Sequence, residues 1–143
     1  MATATTVKHA IIAGIPLLWA APTVPSNKLV IWLPGFSGSK EGVQENLLDL
    51  AQAGFWGLSF DPVQHGERLI ASLDELRTRV RGNIRRYFWP ILAQTAEETS
   101  TVIDWAQHEF GVSRVGMGGI SMGGDIAVAA AGADARIGAV AAC

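Results

Sequence analysis

At 143 residues, 49% hydrophobic and 17% charged, the chain is one domain's worth of sequence and long enough to bury a core. A formal net charge of −2 gives no electrostatic drive toward nucleic acid or an anionic membrane, and neither is expected as a partner. The single cysteine, Cys143, excludes an internal disulfide and suits a reducing compartment.

The apolar stretch 10–21 is broken by Gly14 and Pro16, and Lys8 is the only charged residue before it. That pattern argues against a signal peptide. No apolar run approaches the roughly 20 residues that span a bilayer, and a cytoplasmic protein is expected. The stretch instead predicts two short strands, 7–13 and 15–20, joined tightly at Gly14. Leu29-Val30-Ile31-Trp32-Leu33 reads as a fully buried strand ending at Pro34-Gly35. Ser37-Gly38-Ser39 is a turn able to cap a helix, with Glu41 in the first helical turn and Val43, Leu47, Leu50 and Ala51 at helical spacing up to Gly54. Residues 55–60 form the next predicted strand, and Asp61-Pro62 ends it. A loop containing His65-Gly66 follows.

Residues 72–86 hold five arginines (Arg77, Arg79, Arg81, Arg85, Arg86) and predict a short exposed helix starting at Ser72, with Glu75 placed for a capping box. A stronger helix is predicted over 90–110, with Leu92, Ala96, Thr99, Val102, Ile103, Ala106 and Phe110 as its inner stripe and Gly111 as its stop. Residues 115–120 predict a strand, 122–131 a helix ended by Gly132, and 137–142 a last strand. Strands alternating with helices predict an α/β fold with a mainly parallel sheet and flanking helices. Ligands on such sheets bind at the strand C-termini. Pro34-Gly35-Phe36, residues 61–66 and Ser121 all fall there.

Gly119-Ile120-Ser121-Met122-Gly123 is a G-x-S-x-G segment between a predicted strand and a predicted helix. A serine on so sharp a turn lifts its hydroxyl clear of the sheet, and glycines two residues either side avoid collision. The following helix points its free N–H groups and positive dipole end at the spot where an oxyanion would develop.

Three segments resemble the α/β-hydrolase family: Leu33-Pro34-Gly35-Phe36-Ser37-Gly38-Ser39-Lys40-Glu41 its oxyanion loop, Phe60-Asp61-Pro62-Val63-Gln64-His65-Gly66-Glu67-Arg68 its loop after the fourth strand, and Gly119–Gly123 its nucleophile elbow. The style is closest to small esterases and to dienelactone-hydrolase or prolyl-oligopeptidase-like members. The resemblance covers all of residues 1–143 as a partial domain, but only the N-terminal portion of a typical member. It implies Ser121 as nucleophile, the backbone N–H groups of Phe36 and Met122 as the oxyanion hole, and Gly35, Gly119 and Gly123 as motif glycines. It implies a small acyl or ester substrate and no metal or organic cofactor.

The family's acid and histidine follow the nucleophile on later loops. None of the residues after Ser121 is a histidine, so the expectation is an incomplete α/β-hydrolase fold lacking the C-terminal strands. The isolated chain is then inactive or nearly so. An oligomer or a complementing C-terminal segment is the expected partner. Three rivals stay open: a catalytically inactive binding or dimerising module, a peptidase, and an acyltransferase of the same fold. Among other residues, His65 precedes the serine on the wrong loop for a triad base and is expected to shape its loop. His108 and His9 carry no catalytic argument, and the three histidines lack metal-ligand spacing. Asp61 is expected to hydrogen-bond loop amides, and Asp125 to serve the helix dipole. The arginines read as a solvated face, and Tyr87-Phe88-Trp89 as helix packing rather than an acyl pocket.

Overall fold

The computed structural model describes residues 6–143. Strands β1 (Val7–Ile12) and β2 (Ile15–Ala20) form a hairpin. Its two turn residues, Ala13 and Gly14, have φ of 48° and 77°, the twist that suits a two-residue hairpin loop. The sheet is completed by β3 (Lys28–Leu33), β4 (Trp56–Phe60), β5 (Arg114–Gly119) and β6 (Ile137–Ala142), in the order β1-β2-β4-β3-β5-β6. The first three neighbours pair antiparallel, and from β4 to β6 all pairings are parallel. The sheet is therefore mainly parallel, as the alternation of elements predicts.

Helices α1 (Gln44–Gln52), α2 (Leu73–Gly82), α3 (Ile84–Tyr87), α4 (Trp89–Phe110) and α5 (Met122–Ala133) flank it. Alternation along each strand divides the core into two faces. Leu29, Ile31, Leu33, Leu58, Phe60, Val115 and Met117 meet Ile91, Val102, Ile103 and Ala106 of α4 and Ile126 and Ala127 of α5. On the other face Leu18 and Ala20 meet Leu47 and Ala51 of α1. Gly57 permits that contact, because a Cβ there would sit 2.7 Å from the Leu47 carbonyl oxygen. Arg136 joins α4 to the start of β6: it donates to Asp134, to Asp104 and Gln107, and to the Ser100 carbonyl. The Arg136 hydrogen bond is the main cause that holds the Asp134 carboxyl well below the ordinary carboxylate range.

Most expected helix boundaries hold. Ser72 accepts from the Glu75 N–H at 3.1 Å, and Gly111 ends α4 at φ 68°. Three differ. Ser39 makes no capping hydrogen bond, because a single 3-10 turn over Lys40–Val43 precedes α1. The last helix continues through Gly132 to Ala133 before Asp134 takes up extended backbone. The inner stripe of α4 also includes Ile91 and Thr95. No helix among the described residues is long and apolar enough to cross a membrane.

Strand β6 lies at the sheet edge, and only its first residue, Ile137, is buried. The strand carries no charge and no proline, the usual devices that blunt an edge. Beside it, Val30, Trp32, Met117 and Val140 line an open apolar groove of about 170 Å³. The Trp32 indole N–H is buried there with no acceptor among the described residues. An edge of this kind predicts self-association of the 143-residue chain. Val140→Lys, at a residue 42% exposed, is expected to raise the monomer fraction in size-exclusion chromatography with light scattering; a monodisperse wild-type monomer would contradict the expectation.

Candidate functional site

Strands β3, β4 and β5 are parallel, so the loops after them open on one rim. The turn at Ser121 stands at its centre. Ser121 has φ 54° and ψ −115°, backbone that a side-chain-bearing residue rarely adopts and that costs on the order of 1–3 kcal/mol. Four hydrogen bonds hold it. The Ser121 N–H donates to the Cys143 carbonyl at 2.7 Å, the Ile120 N–H to Leu33 at 3.3 Å, the Gly123 N–H to Ile120 at 2.9 Å and the Asp125 N–H to Ser121 at 3.0 Å.

The flanking glycines are required by close approach. A Cβ on Gly119 would lie 2.6 Å from the Leu33 carbonyl oxygen and 2.7 Å from the Gly123 carbonyl carbon. A Cβ on Gly123 would overlap the Leu33 oxygen and lie 2.7 Å from that of Pro34. Ser121 itself is exposed, and its hydroxyl makes no capping bond to α5. The loop after β3 runs directly beside it: a Cβ on Gly35 would stand 3.8 Å from Ser121 Cβ. The backbone N–H groups of Phe36, on that loop, and of Met122, at the first position of α5, have no protein acceptor among the described residues.

The loop after β4 braces the loop after β3. His65 is fully buried. Its Nε2 accepts from the Ser37 N–H at 2.9 Å, and its Nδ1 lies 2.9 Å from the Val63 carbonyl. These partners require the tautomer protonated at Nδ1. Burial pushes the imidazole pKa down, against the opposing pull of the Val63 carbonyl and Asp61. Both ring nitrogens are thus committed, in agreement with a loop-shaping His65.

Asp61 is fully buried and accepts the Lys40 N–H at 3.0 Å, the Lys40 ammonium at 2.8 Å and the Glu67 N–H at 3.0 Å. Gly66, at φ 56°, packs against this carboxylate, and any Cβ there would overlap it. Lys40 is 1% exposed. Burial disfavours its charge, yet hydrogen bonds to Asp61, Glu41 and Glu67 outweigh that cost, and its pKa lies above the ordinary lysine value. The same loop is tied to α4 by the Val63 N–H donating to Thr95 Oγ1 at 3.1 Å and by a two-pronged Arg68–Glu98 pair.

Sequence reasoning missed Lys40 and the Arg68–Glu98 pair. The available signal was a lysine soon after one apolar strand and an aspartate directly after the next. Glu41, Asp61 and Glu67 bring carboxylate oxygens within 4.8 Å of one another, a spacing that could hold a cation. The Lys40 ammonium bonds all three.

His9 is exposed on β1 and His108 in the last turn of α4, while Asp125 is exposed in the first turn of α5. Arg81, Arg85 and Arg86 face solvent. Tyr87 and Phe88 pack on the core. Phe88 also meets Phe36, with ring centroids 6.0 Å apart, and Trp89 at 5.4 Å.

No family profile matches the sequence, and no curated protein does. Among solved structures, TT1662 from Thermus thermophilus is 27% identical over 86% of this chain and 49% of its own, with a TM-score of 0.69. A cold-adapted esterase from an Arctic intertidal metagenomic library is 20% identical over 95% of this chain and 58% of its own, at 0.71. A thermostable carboxyl esterase from Bacillus coagulans is 19% identical over 99% of this chain and 44% of its own, at 0.70. The chain spans about half the length of the structures it matches. Most of the similar structures are described as esterases or hydrolases, and the six-stranded sheet with its flanking helices matches the part of the α/β-hydrolase fold that the alignment covers.

Two outcomes follow from the geometry. Gly123→Ala is expected to destabilise the fold by about 3 kcal/mol, the upper range of overpacking, in denaturant unfolding; a change under about 0.5 kcal/mol, the level of a neutral surface substitution, would contradict the close approach. His65 has a lowered pKa in the folded state, so the unfolded chain takes up its proton first as pH falls. Its stabilising contribution is full above the ordinary value near 6.5 and is lost progressively as pH falls from that value through the lower folded-state pKa. Between pH 7.5 and 5, His65→Gln should show a shallower loss of stability than wild type, by at most about 1.4 kcal/mol per pH unit. Identical slopes would remove His65 as the titrating group.

Proposed function

We propose that Ser121 is the nucleophile of a serine hydrolase that cleaves a carboxylic ester, or a similar acyl substrate, through an acyl-enzyme. The observation that carries this reading is an exposed serine at φ 54° between β5 and α5, its hydroxyl not spent on capping the helix. The esterase neighbours support hydrolysis as the reaction class.

In this reading Ser121 Oγ attacks the carbonyl carbon and a base takes the hydroxyl proton. The carbonyl oxygen gains negative charge and receives the free N–H groups of Phe36 and Met122. Each such donor contributes about 3 kcal/mol to the transition state in hydrolases of this type. Collapse of the tetrahedral intermediate expels the alcohol, and water then releases the acid by the same route. His65 does not serve as the base, since both its nitrogens are engaged. The base and its orienting acid therefore come from loops outside these residues, on a continuation of the polypeptide or on a second chain. Peptide or acyl-transfer chemistry would use the same serine and differ in the loops that shape the substrate site.

Two measurements test the proposal. The reading frame beyond codon 143 is expected to encode further strands, with an aspartate or glutamate and then a histidine on the loops after them. In the completed protein, Ser121→Ala should lower hydrolysis of p-nitrophenyl acetate by about 10⁴-fold or more. An unchanged rate in that variant would refute the nucleophile assignment.

A further inference from the structure

We infer that Lys40 is a positioning residue for the rim: through Asp61 it locks the Phe36-Ser37 turn against the loop after β4. The inference rests on the role given above to Phe36.

The turn needs an outside hold. Ser37 sits at φ 69°, a conformation that a serine does not keep unaided. Its N–H is held by His65. Three residues on, the main-chain N–H of Lys40 donates to Asp61 Oδ1 while its own ammonium donates to Oδ2. One residue thus grips both oxygens of one carboxylate, fixing where the loop ends and how the carboxylate is rotated. That rotation in turn presents Oδ2 to the Glu67 N–H and shapes the loop that carries His65.

The three carboxylates around the ammonium are unequal. Asp61 is fully buried, whereas Glu41 and Glu67 are 47% and 56% exposed, where ion pairs contribute little. Asp61 is therefore the partner through which Lys40 acts. Without the ammonium, the Asp61 side chain is left as a buried charge with its counter-charge removed. That alters what holds the far end of the Phe36 loop.

The test is amide hydrogen exchange by mass spectrometry on the full chain, comparing Lys40→Met, Glu41→Gln, Glu67→Gln and the double variant Lys40→Met/Asp61→Asn. The readout is protection of the peptide spanning residues 35–38 relative to that of β3 and β4. Lys40→Met should lose about tenfold or more of the loop protection while the strands keep theirs, as local opening requires. Glu41→Gln and Glu67→Gln should stay within about twofold of wild type. Should Lys40→Met fail to fold, the double variant, which removes both buried charges, is read in its place and must show the same selective loop loss. Loop protection within twofold of wild type in a folded variant would overturn the inference. So would a loss shared equally by loop and strands, the mark of a merely structural ion pair. Exchange is read whether or not Ser121 reacts, so this result stands apart from the fate of the nucleophile assignment.

Discussion

The backbone of the Ser121 turn lies against the last residue of β3 with no room for a side chain between them. Gly119 and Gly123 both face the Leu33 carbonyl oxygen at distances that a Cβ would violate. The contact brings the end of β5, the start of α5 and the end of β3 together. It holds Ser121 in backbone it would not adopt alone and delivers the Gly35-Phe36 segment to its side. Under the proposed function, a turn fixed by main-chain contact in this way would present its N–H groups already oriented, and such groups stabilise developing charge best when they need not reorganise.

Around that contact the rim is braced in layers. The loop after β4 has no regular structure beyond one 3-10 turn, yet it is anchored on both sides. Asp61 and His65 reach toward the β3 loop, and Thr95 and Glu98 reach it from α4. Asp61, His65 and Thr95 are buried and Glu98 is half-buried, and each is paired within the network. An unpaired buried carboxylate or imidazole would be costly. Trp32 and Ser59, whose buried polar atoms lack partners among the described residues, lie outside this rim network. The Trp32 group borders the uncovered face beside β6.

Much of this was legible in the sequence because the signals were local. An apolar run of five residues marked β3, the segment 55–60 closed by Asp61-Pro62 marked β4, Gly111 marked the end of α4, and Ser72 marked the start of α2. The glycine pair around Ser121 was legible because glycine is the residue that permits a backbone approach. The Lys40–Asp61 pair was not, because it joins residues 21 apart whose proximity depends on β3 and β4 being neighbours in the sheet. A lysine soon after one strand and an aspartate directly after the next are the only local hints of the pair, and neither shows that the lysine is buried. The failure of Ser39 to cap α1 has a similar cause: the 3-10 turn that follows it begins at Lys40, the residue gripped by Asp61. Tertiary contact there overrides the local preference.

The most direct test of the central claim is trapping of Ser121 by a fluorophosphonate, read by peptide mass spectrometry, on the 143-residue chain with and without added imidazole. In the proposed reading the Ser121 hydroxyl is exposed and His65, with both ring nitrogens engaged, does not take its proton, so exogenous imidazole can act in its stead. The account predicts a single adduct on Ser121 whose rate of formation rises with imidazole concentration and which Ser121→Ala abolishes. Absence of an adduct on Ser121 under both conditions, in folded protein, would contradict it.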